Sequence, residues 1–484
     1  MRIAIVTSEA IPFSKTGGLA DVAGTLFKEY LAMKHDALLF VPFYKSTAEK
    51  FSGMIKDSGI EIDITMGNAI RTCKIFTGIM NAPTPNIYFI GNEDFFFRDE
   101  LYGTTAGDYP DNDQRFVFFS KSVLEICKKL ELQIDIMHCN DWQTGLIPLY
   151  MKTLYRQVPN LKKTASVFTI HNLGYQGLFP AHTLEITGLD ASLFNPEGIE
   201  FFGKVNFLKA GIIGADQITT VSKTYAEEIR SHEYGFGLEG ILTKRSAAIS
   251  GILNGIDYTQ WDPSTDTFIA KKYDRLDLSG KQACKKRLVT EASLKSKAPG
   301  PLMCFIGRLS SQKGVDLLAD AIRYLQSQGA NMVVIGRGDG SYQAMLKAAS
   351  KGFSDSFFFY REFNEPFAHL AYAGSDVFLM PSRYEPCGLG QMIAMRYGTL
   401  PVARKTGGLS DTIEDDKTGF LFEEYSVPAF INAVRRAVKA FDDKKAWRKM
   451  MSNAMKKDFS WGKSVQAYIA IYQNALKMDA LLHA

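Results

Sequence analysis

The chain has 484 residues, of which 46% are hydrophobic and 22% charged, and its formal net charge is +4. This length predicts two large domains, because one hydrophobic core seldom organises so long a chain. The small net charge gives no indication of nucleic-acid or membrane-surface binding, and no segment is apolar for long enough to span a bilayer.

Short apolar segments alternate with helical patterns from the first residue onward. Residues 2–8 predict a buried strand, because both faces of the segment are apolar or small, and a helical pattern follows over about 19–34. Further strands are predicted at 37–43, 86–91, 134–140, 165–172 and 217–222. Strands that alternate with helices are typical of parallel βαβ units.

This alternation stops after residue 257, where a polar, charge-rich stretch runs to about 298. New strand patterns then occur at 301–310, 331–340, 356–363, 376–385 and 399–408. We therefore predict an α/β protein with two doubly wound, Rossmann-like domains, 1–250 and 251–464, facing a central cleft. The hinge is expected near Asn254–Asp262, and a C-terminal helix at about 465–484 is expected to rejoin the first domain.

Nearly the same seven residues occur twice, as KTGGLAD at 15–21 and KTGGLSD at 405–411. Ligands of open parallel sheets bind beyond the carboxyl ends of the strands, where both copies lie. In the first copy Gly17 and Gly18 allow positive φ and close backbone approach, the following helix start favours anions, and Lys15 adds a cation. The pattern indicates a phosphate or sugar-oxyanion cradle, with a plain strand-to-helix turn as the alternative. The second copy supports the donor side or is structural.

Two further strand ends carry charged residues. In GRLSSQKG, Arg308 and Lys313 suit a diphosphate, the alternative being two solvated cations. In EPCGLGQ, Glu385 can bind sugar hydroxyls or balance positive charge at an anomeric carbon, the alternative being a helix cap. The backbone N–H groups near Leu389 and Gly390 are expected to face an anion.

Histidine and aspartate follow two neighbouring strands. HCND and HNLG place His138, Asp141 and His171 near strand ends, where they are either structural or catalytic. A loop carrying Tyr102 and Tyr109 is able to stack on sugars, although ordinary loop aromatics look the same.

Other patterns give no cofactor. DND at 111–113 follows a proline and is better explained as a helix cap than as a metal site. GRGDGSY at 336–342 lacks the glycine spacing of a dinucleotide fingerprint. The six cysteines show no metal-like spacing, and the first residues resemble no secretion signal. We therefore predict no metal, no nicotinamide cofactor, and a cytoplasmic protein with reduced thiols. No oligomeric state is predicted.

The motifs KTGGLADV, HNLGYQG, GRLSSQKG, PSRYEPCGLGQ and KTGGLSDT, in this order, closely resemble bacterial glycogen synthases and plant starch synthases. These enzymes form glycosyltransferase family five and have the GT-B fold. The resemblance extends from residue 1 to about 475. It implies retaining transfer of glucose from ADP-glucose to the non-reducing end of an α-1,4-glucan, without a metal or other cofactor.

The resemblance also implies roles for individual residues. The residues at the reacting sugar and diphosphate are Glu385, Arg308, Lys313, His171 and Asp141. The donor-binding residues are Lys15, Gly17, Gly18, Asn254, Phe363, Leu389 and Gly390. Tyr102 is the candidate acceptor-binding residue.

Three positions depart from the family pattern. Some relatives carry a hydroxyl residue where this chain has Gly390, and Ile393 occupies the second glutamate position of the wider E-x7-E pattern. Phe363 stands where relatives place a tyrosine or similar ring near the base, which leaves ADP or UDP open as the nucleotide. The remaining alternatives are another GT-B glucosyltransferase that uses UDP-glucose and a catalytically silent glucan-binding relative.

Overall fold

A computed structural model describes residues 1–104, 107–295, 300–327, 329–362 and 364–482. The chain divides into two compact units, each with its own parallel sheet and flanking helices. Unit 1 comprises Met1–Val221, Ala226–Ile252 and Trp461–Ala484. Unit 2 comprises Ser222–Tyr225 and Leu253–Ser460.

The strands of unit 1 include every strand predicted before residue 250. They are β1 (Arg2–Val6), β2 (Asp36–Pro42), β3 (Lys56–Met66), β4 (Ala69–Gly78), β5 (Ile87–Gly91), β6 (Gly103–Thr104), β7 (Gly107–Asp108), β8 (Ile136–Asn140), β9 (Ala165–Ile170), β10 (Leu178–Pro180), β11 (Glu200–Phe201), β12 (Lys204–Asn206), β13 (Gln217–Thr220) and β14 (Ile249–Gly251). The main sheet has the order β14-β13-β9-β8-β1-β2-β5-β4-β3, while β10-β12-β11 and β6-β7 form small sheets of their own.

The edge formed by β3 and β4 was not predicted. From β14 to β5 the neighbouring strands are parallel, whereas β4 pairs antiparallel with both β5 and β3. The parallel expectation rested on buried apolar runs, but alternate residues of β3 face solvent, as in an antiparallel edge with one wet face. The sequence signal for this hairpin is the alternation of polar and apolar residues on both sides of the Gly67–Asn68 turn, where Gly67 has φ 58°.

The helices before residue 250 lie between these strands. They are α1 (Gly18–Ala32), α2 (Lys45–Phe51), α3 (Glu93–Phe96), α4 (Asn112–Lys129), α5 (Leu146–Lys152), α6 (Thr183–Thr187), α7 (Phe207–Gly214), α8 (Lys223–Glu228) and α9 (Glu239–Lys244). Asparagine side chains cap the N-termini of α3 and α7. Asn92 accepts a hydrogen bond from the N–H of Phe95, and Asn206 accepts one from the N–H of Lys209.

Unit 2 contains the strands predicted after residue 298. They are β15 (Leu302–Ile306), β16 (Asn331–Ile335), β17 (Phe357–Tyr360), β18 (Val377–Met380), β19 (Leu400–Arg404) and β20 (Phe420–Phe422). The helices are α10 (Ser279–Glu291), α11 (Val315–Ser327), α12 (Gly340–Gly352), α13 (Glu365–Gly374), α14 (Gly390–Arg396), α15 (Gly407–Thr412), α16 (Val427–Asp442) and α17 (Lys444–Lys456). The sheet order is β17-β16-β15-β18-β19-β20, with all neighbours parallel.

Both sheets reverse their strand order at one point. Numbered within unit 2, the order is 3-2-1-4-5-6, and the reversal lies between β15 and β18. In unit 1 the parallel strands reverse in the same way between β1 and β8. Helices leave in opposite directions at such a point, so the loops after these strands border a crevice where ligands bind.

The last helix, α18 (Trp461–Leu482), packs into the core of unit 1. Its Tyr472 hydroxyl is 2.8 Å from the hydroxyl of Tyr30 in α1 and 2.7 Å from Nδ1 of His138 in β8. Nε2 of His138 forms a further hydrogen bond with the hydroxyl of Thr169, 2.6 Å away. A buried chain of hydrogen bonds therefore links α18 to the middle of the sheet.

All six cysteines are free thiols with buried side chains. Among the helices that the structure describes, none has the length and apolar character required to cross a membrane.

We expect Tyr472→Phe to lower the free energy of unfolding by about 1–3 kcal/mol, because His138 Nδ1 and the Tyr30 hydroxyl lose a buried partner. Urea denaturation followed by tryptophan fluorescence measures this change. Tyr44→Phe is the matched control, since the buried Tyr44 hydroxyl has no hydrogen-bond partner within the described residues. Equal losses in the two variants would contradict the role assigned to the Tyr472 hydrogen bonds.

Candidate active site

In unit 1 the loop after β1 is organised by a buried carboxylate that the sequence analysis missed. Glu9 is 4% exposed, and its side chain accepts hydrogen bonds from the N–H of Thr16, the Thr16 hydroxyl at 3.0 Å and the N–H of Gly17 at 3.3 Å. Burial raises the pKa of Glu9, and the two N–H groups oppose that rise. Two N–H groups of the KTGG loop therefore bind a carboxylate of the chain itself.

The glycines of this loop do not have the predicted backbone geometry. Gly17 is extended at φ −151°, and neither Gly17 nor Gly18 has positive φ. A Cβ built on Gly17 would meet no atom within 4 Å, so packing does not demand glycine there either. What the glycine provides is open space beside the start of α1. Lys15 is half-exposed, and its Nζ lies 2.7 Å from Oδ1 of Asp21 in α1.

The loops after β8 and β9 bring Asn140, Asp141 and His171 together. Asn140 pairs with Thr169 in register, so the two strands end side by side. The Asn140 amide nitrogen donates to the carbonyls of Val6 and His138, which turns its oxygen toward His171 Nε2 at 2.9 Å. Burial lowers the pKa of His171 to about 3. The imidazole is therefore neutral at physiological pH, with its proton on Nε2 and a lone pair on Nδ1.

Asp141 has both a strained backbone and a shifted pKa. Its φ of 57° and ψ of −179° fall in a region that is essentially restricted to glycine. The carboxylate accepts a 2.7 Å hydrogen bond from the N–H of His171. Burial raises the pKa of Asp141 to about 7, although the N–H groups of His171 and Asn172 favour the ionised form. Strain and a perturbed pKa at a sheet reversal are typical of a functional residue.

Two other candidates of unit 1 are engaged in packing. His138 is fully buried within β8, and its ring nitrogens bind Thr169 and Tyr472, so it is structural. Tyr102 is half-buried, with its hydroxyl 2.6 Å from that of Ser8 and its ring centroid 6.1 Å from that of Phe116.

In unit 2 the loops after β15 and β18 join at an ion pair between a partly buried lysine and a buried carboxylate. Lys313 Nζ lies 2.8 and 2.7 Å from the two carboxylate oxygens of Glu385, which is 4% exposed. The hydroxyl of Ser382, which the sequence analysis did not select, donates to Oε2 of Glu385 at 3.0 Å. Glu385 therefore does not serve as a helix cap. It is a paired carboxylate at the reversal point of the sheet.

Close backbone packing holds these two loops together. Gly314 has φ 70°, and a Cβ built on it would lie 1.9 Å from the carbonyl oxygen of Pro381. The N–H of Arg383 donates to the carbonyl of Gln312 at 2.8 Å. Lys313 thus stands between two fixed backbone contacts.

The second KTGG copy packs against the Glu385 segment. A Cβ on Gly407 or Gly408 would lie 2.0 Å from the carbonyl oxygen of Glu385 or Cys387, respectively. The N–H of Gly408 donates to the Glu385 carbonyl at 3.1 Å. The two copies therefore do different things: the first leaves space beside a helix start, and the second fits tightly against a neighbouring loop.

The remaining residues predicted to contact the donor are Arg308, Leu389, Gly390, Asn254 and Phe363. Arg308 is exposed just after β15. Leu389 and Gly390 start α14, and a Cβ on Gly390 would be 2.9 Å from the Phe378 ring, so a larger residue there would require the ring to shift. Asn254 is buried, and its Oδ1 has no hydrogen-bond partner within the described residues. Phe363 lies outside the residues that the structure describes.

DND starts α4, as predicted, and Oδ1 of Asp113 accepts a 2.7 Å hydrogen bond from the N–H of Gln114 in the first turn. Asp111 precedes α4 but makes no side-chain cap; it forms a two-point ion pair with Arg98 at 2.8 and 2.5 Å. Asp113 accepts from the Thr183 hydroxyl at 2.7 Å. In the part of the chain that is described, no group of three or more His, Cys, Asp or Glu side chains is arranged to hold a metal ion.

Two family descriptions match the chain. Residues 2–244 match the starch synthase catalytic domain, and residues 288–457 match the glycosyl transferases group 1. The first range lies in unit 1 apart from Ser222–Tyr225, and the second lies wholly in unit 2.

Relatives of known name match along the whole chain. The glycogen synthase of Thermodesulfovibrio yellowstonii is 47% identical, covering 98% of both chains, and that of Koribacter versatilis is 43% identical, covering 99% of both. The catalytic domain of starch synthase IV from Arabidopsis thaliana, solved with ADP and acarbose, is 33% identical with a TM-score of 0.89 over 98% of this chain and 99% of that one. A sucrose-phosphate synthase from Thermosynechococcus elongatus, 16% identical over 99% of both chains with a TM-score of 0.61, shares the fold.

These similarities agree with the reversal-point sites of both units and with the sequence motifs. The chain belongs to the glycogen synthase and starch synthase family of glucosyltransferases, enzymes with the two-domain GT-B fold.

Proposed function

We propose that this enzyme transfers glucose from ADP-glucose to the non-reducing end of an α-1,4-glucan, elongating glycogen with retention of anomeric configuration. The observation that carries the proposal is the Lys313–Glu385 ion pair at the reversal point of unit 2. It combines a cation suited to a diphosphate with a carboxylate suited to the sugar bound to that diphosphate. The ADP bound to Arabidopsis starch synthase IV supports ADP as the nucleotide.

Unit 2 is the donor-binding unit in this proposal. Arg308 and Lys313 bind the diphosphate, and the N–H groups of Leu389 and Gly390 at the start of α14 add neutral donors. Negative charge grows on the diphosphate as the bond to the glucose C1 breaks, so these groups stabilise the transition state more than the ground state. Glu385, held by Lys313 and Ser382, balances the positive charge that develops at C1.

Unit 1 supplies groups for the sugar hydroxyls and the acceptor. Neutral His171 offers the Nδ1 lone pair, Asp141 offers a carboxylate, and Lys15 adds a cation toward the donor phosphates. The acceptor hydroxyl forms the new bond to C1 on the face that the diphosphate leaves, and its proton passes to the departing diphosphate. No protein nucleophile is required. Tyr102 and the remaining loops of unit 1 are proposed to contact the glucan, and Asn254 and Phe363 to contact the donor.

The proposal includes the cell compartment and the division of labour between domains. Unit 1, with its C-terminal helix, is the acceptor side, and unit 2 is the donor side. A cytoplasmic location agrees with six buried free thiols, since reduced thiols are typical of cytosolic proteins.

The first test is glucose incorporation into glycogen from ADP-glucose and UDP-glucose, measured side by side in EDTA. We expect strong turnover with ADP-glucose and little with UDP-glucose. Preference for UDP-glucose would contradict ADP-glucose as the donor and leave the proposed transfer reaction intact. Absence of transfer from either donor would contradict the enzyme function and favour a silent glucan-binding relative.

Glu385→Gln and Lys313→Ala serve as inactive references in this assay, with an expected loss of at least about 10²-fold in kcat. Lys285→Ala is the matched control, because Lys285 also forms an ion pair in unit 2, at 2.5 Å from Asp376. It should retain turnover, which separates loss of the site from general loss of an ion pair.

The two heptads allow a matched comparison of lysines. Lys15→Ala should lower kcat/KM for ADP-glucose by about 10- to 100-fold, the effect of removing one charge-assisted hydrogen bond. Lys405 matches Lys15 in exposure (52% against 51%) and in forming one 2.7 Å ion pair, with Glu423. Lys405→Ala should nevertheless leave kcat/KM unchanged, because the second copy packs against a neighbouring loop and leaves no open space for a ligand. Similar losses in both variants would show that the copies share one role.

The raised pKa of Asp141 predicts a pH dependence. Asp141 is neutral below about 7 and ionised above it, so kcat/KM should rise with pH through this value if the carboxylate binds sugar. In Asp141→Asn the rise should disappear. Asp36→Asn removes an exposed carboxylate of the same unit and should retain it. A rise that persists in Asp141→Asn would assign it to another group.

The same shift affects folding stability with a definite sign. Because the folded pKa of Asp141 is raised above 3.8, the folded state binds this proton more tightly than the unfolded state. Its contribution therefore favours folding at low pH and is lost as pH rises toward 7. Stability of Asp141→Asn relative to the parent should accordingly increase over that interval, which urea denaturation at several pH values measures.

A further inference from the structure

The backbone turn at residues 385–390 is fixed through its carbonyl groups. The carbonyl of Glu385 accepts from Gly408 N–H at 3.1 Å, and that of Pro386 from the hydroxyl of Ser222 at 2.6 Å. The carbonyls of Cys387 and Gly388 both accept from the side chain of Gln391. Four consecutive carbonyls of the turn are thus held by groups outside it.

The N–H groups of the turn are oriented by the same contacts. In a trans peptide the C=O and the following N–H point in opposite directions. Holding the Cys387 and Gly388 carbonyls therefore aims the N–H groups of Gly388 and Leu389 away from Gln391. Within the described residues, neither of these N–H groups donates a hydrogen bond.

A single side chain makes the contacts that set this orientation. Gln391 is fully buried, and its Nε2 lies 3.0 Å from the Cys387 carbonyl, 2.8 Å from the Gly388 carbonyl and 3.2 Å from the Thr412 hydroxyl. Two carbonyl acceptors fix the amide with its NH₂ group toward the turn, because the amide oxygen would repel them.

This orientation of the amide leaves its oxygen unpaired. Oε1 of Gln391 is buried and has no hydrogen-bond partner within the described residues. It lies under Gly388, where a built Cβ would be only 2.4 Å away, and Gly388 adopts φ 71°. The amide and the glycine therefore fit one another, and an unpaired buried acceptor is tolerated in order to hold two carbonyls.

We propose that Gln391 is a positioning residue that aims the N–H groups of Gly388 and Leu389 at the terminal phosphate of a nucleoside diphosphate. It acts through the backbone and does not touch the ligand. The inference rests on the proposed function, which places the donor diphosphate at this turn. It predicts that Gln391 matters for the second phosphate and not for the nucleoside or the first phosphate.

Lys281 provides a closely matched structural control in the same unit. Its buried Nζ also reaches two backbone carbonyls, those of Ala373 and Tyr397 at 3.0 Å each, and a threonine hydroxyl, that of Thr399 at 2.8 Å. These contacts lie away from the Lys313–Glu385 loops. Lys281→Met and Gln391→Met each remove a buried donor that reaches two backbone carbonyls and one threonine hydroxyl. General destabilisation should therefore affect the two variants alike.

The test is calorimetric binding of ADP and AMP to the full chain and to the two methionine variants. The parent should bind ADP more tightly than AMP. In Gln391→Met, ADP affinity should fall by about tenfold or more while AMP affinity stays within about twofold, since only contacts to the terminal phosphate are lost. In Lys281→Met the ratio of the two affinities should equal that of the parent.

The outcomes separate this inference from the proposed function. A parent that binds ADP and AMP equally would contradict a diphosphate site at the turn. A parent that discriminates, with an unchanged ratio in Gln391→Met, would overturn the role of Gln391 and leave the function standing.

Gln391→Glu gives an independent result if the methionine variant does not fold. An ionised carboxylate repels both carbonyls, whereas the protonated acid donates one hydrogen bond. Its ADP affinity relative to the parent at the same pH should therefore improve as pH falls from about 8 to about 6. A constant ratio over this range would overturn the inference.

Discussion

The buried Glu385 carboxylate is the constraint around which the loops of unit 2 are arranged. A carboxylate that is 4% exposed requires a cation and hydrogen-bond donors, because an unpaired buried charge is strongly destabilising. Lys313 comes from the loop after β15, and Ser382 follows β18. These strands are neighbours although β16 and β17 separate them along the chain, so the reversal of strand order supplies the partner. Packing of the two loops and the placement of charge at the proposed site thus depend on the same contact.

The glycines show how tightly the surrounding backbone is packed. Gly314, Gly407 and Gly408 each lie where a Cβ would come within about 2 Å of a carbonyl oxygen of a neighbouring loop. Their role is to let loops approach one another. Gly17 lies in the same motif in the other unit, and it has no such neighbour. The repeated heptad is therefore one sequence solution for a strand-to-helix connection, and its environment determines whether it leaves open space or packs against another loop.

Much of this organisation was predictable from the sequence, for identifiable reasons. The predicted strands were found because buried parallel strands give continuous apolar runs. Asp141 and His171 directly follow such runs, and Lys313 and Glu385 lie in the loops after them. The antiparallel β3–β4 edge was missed because one of its faces is exposed to solvent, so that β3 gives no continuous apolar run. Glu9, Ser382 and Gln391 were missed for a different reason: each acts on backbone groups or on another side chain. Such contacts depend on tertiary distances that no local pattern encodes.

The two sites also differ in electrostatics in a way that fits the two ends of a sugar nucleotide. Unit 2 presents Arg308 and Lys313 together with N–H groups of a turn, a positive environment that suits a diphosphate. In unit 1 the site residues Glu9 and Asp141 are buried carboxylates whose pKa values are raised, and His171 is kept neutral by its lowered pKa. A carboxylate and a neutral imidazole, as Asp141 and His171 provide, are suited to hydroxyl groups, whereas a diphosphate requires cations. The anionic and the hydroxyl-rich parts of the proposed donor are thus each matched by one unit, and Lys15, paired with Asp21, is the cation of the KTGG loop in unit 1.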